Sequence, residues 1–390
     1  MEKVRLGIIG VGNMGTGHLS NIEMHKRCPE ITVTAVADVK PERLQWVKDN
    51  IETPIALFDD AEKMMDSGLI DAVLIAVPHY FHPVYAIKAF ERGLHVMCEK
   101  PAGVYTKQVR EMNEAADKAN VVFGMMFNQR TDHIYRKMRE IVQSGELGEI
   151  RRTNWIITNW YRPQAYYDSG DWRATWSGEG GGVLLNQCPH QLDLWQWICG
   201  MPVSVEAKLS YGLWHDIEVE DDVTAYVRYA NGATGVFVTT TGDAHGTNRL
   251  EIQLDRARIV VESGRISMLE YEMTEQDFSK TNTEPFATVA ANKVEVETDG
   301  ENPQHVGVIN AWGGAILRGE LLVADGSEGI NGLTLSNAMH LSSWLGRAVT
   351  LPLDENLFYS ELMQRAAASR RKTNVKEMTA DTSGSYEGNR

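Results

Sequence analysis

Short apolar runs, separated by segments with helical spacing, fill the first third of the chain. Such runs are typical of strands buried on both faces of a parallel sheet. The alternation of strand and helix predicts a doubly wound parallel sheet, with helices on both faces, over residues 1–124. Pro41 and Pro83 mark two of the predicted helix starts. The predicted strands are 6–9, 31–37, 71–77, 94–98 and 121–123.

The remainder of the chain has a different pattern. Apolar and polar residues alternate repeatedly between about 203 and 297, and Asn231-Gly232 between two of these runs is a strong signal for a β-hairpin. These features predict an α+β domain over 125–365, in which helices cover one face of a large, mostly antiparallel open sheet. The polar segment 366–390 is predicted to be a mobile tail or an arm on a neighbouring subunit. Other predicted elements are a strand over 150–160 and helices over 132–144, 183–199, 304–319 and 333–346.

Three glycines follow the first strand in the spacing of a dinucleotide-binding loop. Gly10, Gly12 and Gly15 match G-x-G-x-x-G, and the pattern turns helical directly after them. The first glycine permits a tight turn, the second allows a pyrophosphate to approach the backbone, and the third lets the helix pack against the strand. Asn13 and Met14, within the loop, are assigned to the cofactor together with these glycines.

An acidic residue, Asp38, ends the second strand about 20 residues beyond the loop, where the dinucleotide fingerprint expects one. Its carboxylate would accept hydrogen bonds from the ribose 2′-hydroxyl of NAD and would repel the 2′-phosphate of NADP. NAD is therefore the predicted cofactor, although the nearby Lys40 leaves the preference open. The alternative is an ordinary strand-to-helix turn that ends in a surface aspartate.

The composition excludes several classes of protein. A net charge of −15 argues against nucleic acid or an anionic membrane as a partner, since both require a basic face. No apolar run approaches the ~20 residues of a membrane span, and the first strand begins too early for a signal peptide. The four cysteines form no CxxC pair and lack metal-ligand spacing, so no metal site is predicted. We therefore expect a globular, cytoplasmic protein with reduced thiols.

Polar residues follow two predicted strands at the carboxyl edge of the sheet, where open α/β sheets bind their ligands. Val77, Pro78, His79 and His82 follow one strand, and Glu99-Lys100-Pro101 follows the next. A lysine at this edge can donate a hydrogen bond to a substrate hydroxyl and stabilise the alkoxide that forms as hydride leaves the adjacent carbon. A solvated lysine after a strand is the alternative.

A glycine run precedes a histidine in the segment 180–193. Asn186 and His190 are four residues apart, which would place them on one face of the predicted helix. His190 has a suitable unperturbed pKa to take a proton from a hydroxyl near neutral pH, whereas the amide of Asn186 can only bind one. Asp193 could orient the imidazole, but a structural role is favoured for it. The alternative for His190 is a packed core histidine, against which the glycines argue because they let the backbone come close to a ligand.

Aromatic residues and arginines are concentrated over 155–176. Aromatic rings suit the C–H faces of a pyranose, and Arg162 and Arg173 could bind hydroxyls or an acidic group. A packed loop or a subunit interface explains the aromatic residues equally well. Asn128 and Arg130 follow the last strand of the first domain and are expected to face the cleft between domains, whereas His305 is expected to start a helix.

Taken together, the glycine fingerprint, Glu99-Lys100-Pro101 and the segment from Gly180 to His190 resemble the glucose–fructose oxidoreductase/inositol dehydrogenase (Gfo/Idh/MocA) family. The likeness extends to about residue 352. It implies a Rossmann domain followed by a sheet-based C-terminal domain, and NAD(P)-dependent redox chemistry on sugars or polyols. It also implies homodimers or homotetramers that pack through the open sheets.

The resemblance assigns roles to individual positions. Lys100 matches the family's substrate-binding lysine and His190 its usual catalytic histidine. Asn186 stands where many members have aspartate, which moves the role of base onto His190, with water as a possible relay. His79 stands where asparagine is frequent, so its contact with nicotinamide is less secure, and Trp172-Arg173 resembles a Trp-Arg pair near the cofactor.

The predicted site combines three sets of residues. The catalytic residues are Lys100 and His190. Substrate binding is assigned to Asn128, Arg130, Tyr161, Arg162, Trp172 and Asn186. Cofactor binding is assigned to Gly10, Gly12, Asn13, Met14, Gly15, Asp38, Val77, Pro78, His79, His82, Glu99, Lys100, Asn128, Trp172 and Arg173.

The main hypothesis is an NAD-dependent oxidoreductase that oxidises a secondary hydroxyl of a sugar, glycoside or cyclic polyol, with Lys100 polarising the oxygen and His190 as base. The alternative is a redox-neutral glycoside hydrolase or lyase with tightly held NAD, in which transient oxidation of a ring hydroxyl precedes elimination and re-reduction. A cofactor-bound regulator without catalysis is a third hypothesis. It predicts that the chemical residues have been lost, whereas Lys100 and His190 are both present.

Overall fold

The structure, a computed structural model, describes residues 2–370, 372 and 375. Its first domain is built on a six-stranded parallel sheet with the strand order β3-β2-β1-β4-β5-β6, which confirms the doubly wound architecture. The strands are β1 (Val4–Ile9), β2 (Ile31–Ala37), β3 (Ala56–Phe58), β4 (Ala72–Ile75), β5 (His95–Cys98) and β6 (Phe123–Met125). The helices are α1 (Asn13–Leu19), α2 (Pro41–Asn50), α3 (Ala61–Met65), α4 (His82–Phe90) and α5 (Thr106–Ala119).

The strands of this sheet are buried on both faces because their side chains alternate between two separate cores. In β4, Val73 and Ile75 belong to one core, and Ala72 and Leu74 to the other. The short β3 was not predicted; it pairs with β2 alone at the sheet edge and is not fully buried, so it lacks the apolar run that marks the other strands.

The second domain contains a nine-stranded sheet with the order β14-β13-β12-β11-β7-β10-β9-β8-β15. Neighbouring strands are antiparallel except β7 and β10, which are parallel, so the sheet is mostly antiparallel as predicted. The strands are β7 (Ile150–Ile157), β8 (Ser204–Tyr211), β9 (Glu220–Arg228), β10 (Thr234–Thr240), β11 (Asn248–Leu254), β12 (Ala257–Glu262), β13 (Arg265–Tyr271), β14 (Ala291–Glu295) and β15 (Val349–Thr350). The helices are α6 (His133–Gln143), α7 (Gln164–Tyr167), α8 (Pro189–Cys199), α9 (Glu275–Thr281), α10 (Gln304–Arg318), α11 (Gly329–Leu345) and α12 (Glu355–Ala367).

The hairpin expected at Asn231-Gly232 joins β9 to β10, with Thr234 opposite Arg228. Gly232 has φ +88°, the left-handed conformation that glycine adopts without strain. Helices α8 and α11 pack against each other, and α11 packs on β8, so one face of this sheet is covered. Strand β7 ends at Ile157, three residues before the predicted end at Trp160.

The chain returns to the first domain late in the sequence. Helix α10 places Trp312 in the core formed by Ile8 and Leu74 of the parallel sheet. At the helix end, Arg318 forms an ion pair with Glu30. The predicted domain boundary at residue 124 falls inside β6. Helix α10 follows this boundary by about 180 residues, yet it packs against the parallel sheet of the first domain.

The predicted polar tail begins inside α12, and the described residues after that helix contact the second domain. Ser369 donates a hydrogen bond to a carboxylate oxygen of Glu218, and Lys372 Nζ donates one to the carbonyl of Tyr167 at 2.7 Å. Most of the predicted tail lies outside the described residues. Within the described part, the helices are too short or too polar to cross a bilayer, and the four cysteines are buried and free.

Candidate active site

The three glycines of the N-terminal loop each meet a different environment. Gly10 has φ +90°, and a Cβ there would lie 2.5 Å from the carbonyl oxygen of Ala76. A Cβ at Gly15 would lie 1.9 Å from the carbonyl oxygen of Gly10, whereas one at Gly12 would have nothing within 4 Å. The first glycine therefore permits the turn, the third permits close packing of α1, and the second borders the space that a pyrophosphate requires. The loop fits a dinucleotide.

Asp38 lies beside this loop and is held by two backbone groups. Its Oδ2 accepts a hydrogen bond from Val11 N at 2.7 Å, and its Oδ1 accepts one from Lys40 N at 2.9 Å. The carboxylate is partly exposed, so it retains lone pairs for a ligand. The position suits recognition of a ribose diol, as the fingerprint predicts.

The carboxyl end of β5 carries a buried carboxylate. Glu99 Oε1 and His18 Nε2 are 2.6 Å apart, with both side chains almost fully buried. Burial alone would raise the pKa of Glu99, but the hydrogen bond and charge of His18, together with the charges of His305 and Lys100, lower it to about 2. Glu99 is therefore an anion near neutral pH, fixed between α1 and the strand end.

Lys100 reaches from the first domain to the second. Its Nζ donates a hydrogen bond to the backbone carbonyl of Asn186 at 3.1 Å. Burial lowers the pKa of the ammonium group, Glu99 opposes this shift, and the positive charges of Arg162 and Arg173 reinforce it. The lysine is half-buried, so its remaining N–H groups are available to a ligand in the cleft.

His190 is the second residue of α8 and is 1% exposed. Burial lowers its pKa well below 6.5, and the positive charge of Lys100 lowers it further. The imidazole is therefore neutral near pH 7 and can accept a proton. The charge of Lys100 acts on this ring, and Lys100 Nζ bonds to the carbonyl of Asn186, four residues before His190, although the two predicted catalytic groups come from different domains. The edge of Phe127 packs against the ring, with the centroids 6.3 Å apart.

The predicted helix over 183–199 is wrong in its first turn and a half, because α8 begins only at Pro189. A residue before proline is disfavoured in the α-helical region, and Cys188 has φ −103° and ψ +12°. Asn186 therefore lies in a turn, and the spacing of four does not place it on a helical face with His190. The carboxylate of Glu220 fixes the turn by accepting hydrogen bonds from Gly182 N at 2.8 Å and Leu184 N at 3.0 Å.

The side chain of Asn186 links a carboxylate to a phenol. Its Nδ2 donates to Glu179 Oε1, and its Oδ1 accepts a hydrogen bond from the Tyr166 hydroxyl at 3.4 Å. Glu179 is 2% exposed, and its Oε2 also accepts a hydrogen bond from Ala174 N at 2.6 Å. Burial raises the pKa of Glu179, and the charge of Arg173 only partly offsets that shift. The site thus contains a carboxyl group, next to Asn186, that the sequence analysis did not identify.

Tyr166 also organises the arginines of the aromatic segment. Its hydroxyl accepts a hydrogen bond from Arg173 Nη1 at 3.0 Å, and its ring lies under the guanidinium groups of Arg162 and Arg173, at 5.3 Å and 4.7 Å. Arg173 also lies 4.7 Å from the ring of Trp172. Tyr161 is 43% exposed and contacts Arg162 through its backbone carbonyl alone.

The two histidines after β4 differ in availability. His79 Nδ1 lies 3.3 Å from the carbonyl of Glu179, and its ring packs edge-on at 5.7 Å from Trp172. His82 contacts backbone carbonyls through both ring nitrogens, that of Pro101 at 2.6 Å and that of Val77 at 2.7 Å. The assignment of His82 to the cofactor is therefore corrected: its ring braces the loops after β4 and β5. Val77, on the braced loop, borders the glycine turn, since its side chain lies next to Gly10, and Pro78 follows it in the chain.

Arg130 was expected to face the substrate cleft, and this expectation is corrected. Its guanidinium makes two hydrogen bonds to Asp193, at 2.6 Å and 2.7 Å, and a third to Glu328 at 2.8 Å. Arg130 and Asp193 are each buried, so a bidentate ion pair occupies the arginine. Asp193 was expected to cap a nearby element; its role is structural, but its carboxylate pairs with Arg130 instead. Asn128 is buried nearby and donates from Nδ2 to Gln304 Oε1.

Sequence reasoning also missed two histidines behind Glu99. His18, on α1, contacts Glu99 directly, and His305 packs against His18 with the ring centroids 5.4 Å apart. His305 is the second residue of α10, which agrees with the prediction that it starts a helix. The positive charge of Lys100 also acts on its ring and lowers its pKa. Burial and the charge of His18 lower the pKa of His305 to about 4. Nothing in the sequence pattern links these positions, because the contacts join distant parts of the chain.

Comparison with protein families gives two matches. A model described as an oxidoreductase family with an NAD-binding Rossmann fold matches residues 4–127. A model of the GFO/IDH/MocA C-terminal domain matches residues 135–260. Residues 128–134, between β6 and the second residue of α6, separate the two matches, and the second match ends at residue 260, within β12.

Named relatives and solved structures agree with these matches. The myo-inositol 2-dehydrogenase of Thermotoga maritima is 28% identical over 267 residues, which are 67% of this chain and 76% of the relative. The levoglucosan dehydrogenase of Pseudarthrobacter phenanthrenivorans is 28% identical over 278 residues, 64% of this chain and 70% of the relative. The WlbA dehydrogenase from Bordetella pertussis, crystallised with NADH and UDP-GlcNAcA, superimposes with a TM-score of 0.75 at 26% identity, covering 90% of this chain and all of that one (100%).

Proposed function

The chain belongs to the GFO/IDH/MocA oxidoreductase family, and we propose that it oxidises a secondary hydroxyl of a sugar, glycoside or cyclic polyol with NAD. The observation that carries the proposal is the hydrogen bond from Lys100 Nζ to the carbonyl of Asn186, four residues before His190. This contact joins the carboxyl end of β5 to the turn before α8. It brings an ammonium group and an imidazole to one cleft at the edge of the parallel sheet.

Residues of the first domain would hold the cofactor. Gly10, Gly12 and Gly15 line the pyrophosphate space, and Asp38 would accept hydrogen bonds from the ribose. NAD, when bound, supplies the hydride acceptor, and in a redox-neutral cleavage it would also return that hydride to the sugar. Glu99 gives the site a fixed negative charge close to Lys100.

Lys100, His190 and Asn186 have different proposed roles at the substrate hydroxyl. Lys100 donates a hydrogen bond to the oxygen and stabilises the negative charge that develops there. His190, neutral because burial disfavours its charged form, accepts the hydroxyl proton. The side-chain Nδ2 of Asn186 donates to Glu179. The side-chain oxygen Oδ1 is therefore the atom of this amide that can orient a substrate hydroxyl. Lys100 and His190 act on the same carbinol, and the base role does not require the aspartate that many relatives have at position 186.

The breadth of the substrate class follows from the relatives. They include dehydrogenases named for inositol and for levoglucosan, and a dehydrogenase crystallised with a UDP-linked sugar acid. A cyclic carbinol is the feature common to these molecules.

A redox-neutral glycosidase is the second candidate, and Glu179 is the observation that favours it. Elimination next to an oxidised carbon needs one group to remove a C–H proton and another to protonate the departing glycosidic oxygen. Glu179 is a buried carboxyl group whose pKa is raised by burial, and it bonds to Asn186, four residues before His190, so the site contains a second titratable group besides the neutral imidazole for the two proton transfers.

One experiment separates the two candidates. The purified protein is mixed with NAD and a panel of sugars, aryl glycosides and inositols, and both NADH and released aglycone are measured. NADH that forms in step with oxidised product supports the dehydrogenase. Aglycone released without net NADH supports the glycosidase, and neither product with any member of the panel contradicts both.

Assembly into a homodimer or homotetramer is part of the proposal. Helices cover one face of the nine-stranded sheet, and the other face exposes side chains such as Ile156 on the central strand β7. Light scattering of the eluted protein tests this point, with a mass of two or four chains as the expected result and a single-chain mass as the contrary one.

A further inference from the structure

We infer that the preferred substrate is a sugar that carries an acidic group, bound by Arg162 and Arg173 beside Lys100. The inference rests on the proposed function, since it assigns the substrate class of the same cleft. It starts from the positions of the two guanidinium groups, which share one aromatic ring. Arg162 and Arg173 both lie over Tyr166, at 5.3 Å and 4.7 Å from its centroid.

Stacking fixes these arginines without neutralising them. Arg162 is also stacked on Trp160 at 5.5 Å and donates one hydrogen bond to the carbonyl of Tyr161. Arg173 lies over Trp172 and donates one hydrogen bond to the Tyr166 hydroxyl. These contacts satisfy one N–H of each guanidinium group and leave the others for a ligand, because each guanidinium carries five. The planar groups are thereby held in place before a ligand arrives.

Within the described residues, no carboxylate lies within 4.0 Å of a nitrogen of either guanidinium. The acidic groups nearest the cleft are engaged elsewhere. Glu179 is bonded to Asn186 and to Ala174 N, and Glu99 is bonded to His18. Arg173 acts on the buried carboxyl group of Glu179 through its charge, but among the described residues neither guanidinium group forms an ion pair, which suits a binding site for an anion.

The cationic character of the cleft contrasts with the rest of the molecule. The chain has a net charge of −15, yet Arg162, Arg173 and Lys100 converge, since the charge of each arginine acts on the lysine. Lys372 adds a further positive charge at the rim, where it donates a hydrogen bond to the carbonyl of Tyr167. The family resemblance assigned Arg173 to the cofactor, whereas its contacts in this structure are with Tyr166 and Trp172, beside Arg162.

The arrangement also gives the substrate a direction. Lys100 Nζ donates a hydrogen bond to the carbonyl of Asn186, four residues before His190. In the proposed mechanism it also donates one to the reacting hydroxyl. Arg173 donates to the Tyr166 hydroxyl, which also contacts Asn186 Oδ1 at 3.4 Å, and both guanidinium groups lie over the Tyr166 ring. The acidic group would therefore bind beside Tyr166 while the oxidised carbinol lies at Lys100. A carboxylate and a phosphate share the geometry that a guanidinium edge recognises.

Calorimetric titration of the NADH-bound protein tests the inference without requiring turnover. The probes are matched methyl glycosides of gluco, galacto and manno configuration, each with a 6-hydroxyl, a 6-carboxylate or a 6-phosphate. We expect at least one acidic member to bind about 30-fold more tightly than its neutral counterpart, the effect of charge-assisted hydrogen bonds to a desolvated arginine. The Arg162→Gln variant should reduce that ratio to about threefold or less.

The control is Arg347→Gln, which removes an exposed arginine after α11 and should leave the ratio unchanged. Equal binding of the neutral and both acidic members in every configuration would overturn the inference, as would a ratio that survives Arg162→Gln. Preferential binding of an acidic sugar that is neither oxidised nor cleaved would instead overturn the proposed function and support only a binding site for the acidic group at Arg162 and Arg173. Oxidation of neutral sugars with no preference for acidic ones would overturn this inference and leave the proposed function standing.

Discussion

Lys100 Nζ donates a hydrogen bond to the backbone carbonyl of Asn186 at 3.1 Å, across the boundary between the parallel sheet and the nine-stranded sheet. The donor follows β5, and the acceptor lies in the turn that Glu220 fixes before α8. Neither domain holds both catalytic groups, so the site exists only when the two are packed together. The proposed catalysis depends on this convergence of Lys100 and His190.

The glycine loop provides a matched pair of variants. A Cβ at Gly12 meets nothing within 4 Å in the protein, so Gly12→Ala should fold normally but bind NADH at least about tenfold more weakly, because the methyl group enters the pyrophosphate space. A Cβ at Gly15 would lie 1.9 Å from a backbone oxygen, so Gly15→Ala should lose about 1–3 kcal/mol of unfolding free energy. Urea unfolding and NADH fluorescence titration measure the two effects. Equal NADH affinity in Gly12→Ala and the wild type would show that the cofactor lies elsewhere.

In the plot of kcat/KM against pH, both the acid limb and the basic limb should lie at lower pH than for an exposed histidine and an exposed lysine. Burial and Lys100 lower the pKa of His190 below 6.5, so the base remains neutral and active in acid until that lower pKa is reached. Burial lowers the pKa of Lys100 below 10.5, so its charge, and with it activity, is lost at a lower pH than for an exposed lysine. The logarithm of kcat/KM against pH measures both limbs.

The variant Lys100→Arg is the control for the basic limb. It should retain a small activity whose basic limb moves above that of the wild type, since a guanidinium keeps its proton. An acid limb in the wild type at or above pH 6.5 would contradict the assignment of a buried imidazole as base.

Asp38 should set the preference for NAD. We expect Asp38→Asn to weaken NADH binding about 10- to 100-fold, the effect of losing a charge-assisted hydrogen bond, while NADPH binding suffers less because the repelling charge is gone. Fluorescence titration with both cofactors measures the ratio. Asp49→Asn, an exposed substitution on α2, is the control. An unchanged preference in Asp38→Asn would remove this residue from the cofactor site.

The buried pair of Arg130 and Asp193 should act on stability and not on substrate affinity. Removing one partner leaves a buried charge alone, so Arg130→Met should cost about 3–5 kcal/mol of unfolding free energy. The double variant Arg130→Met/Asp193→Leu should recover part of that loss, because no fully buried charge is left unpaired; the remaining partner, Glu328, is partly exposed. Normal stability with weakened substrate binding in the single variant would restore the original assignment to the cleft.

The parallel sheet was predictable because strands such as β4 are buried on both faces and leave an uninterrupted apolar run. The hairpin at Gly232 was equally clear from its turn residues. The start of α8 was not, because the apolar periodicity continues through the turn before Pro189, and periodicity alone does not reveal that the chain is folded there by Glu220. The edge strand β3 is too short to leave a pattern.

Some residues of the candidate site were predictable from the sequence and others were not. Lys100 and His190 occupy positions that strand ends and a glycine run indicate. The pairing of Arg130 with Asp193 joins residues 63 apart in the chain, and a position after a strand end cannot show that the side chain turns into the core. The sequence around Glu179 contains one hint of its role, because this carboxylate lies between two glycines. Its hydrogen bond to Asn186 depends on the fold of the turn and could not be predicted from the sequence.

The most direct test of the account is NADH formation by Lys100→Met and His190→Ala with the sugar that the wild type oxidises best. Each variant should lose about 10²- to 10⁴-fold in kcat, the usual contribution of a proton-transfer group, while its Kd for NADH stays close to the wild-type value. The controls, Lys107→Met and His25→Ala, alter exposed residues and should turn over normally. Wild-type turnover in both Lys100→Met and His190→Ala would contradict the proposed site.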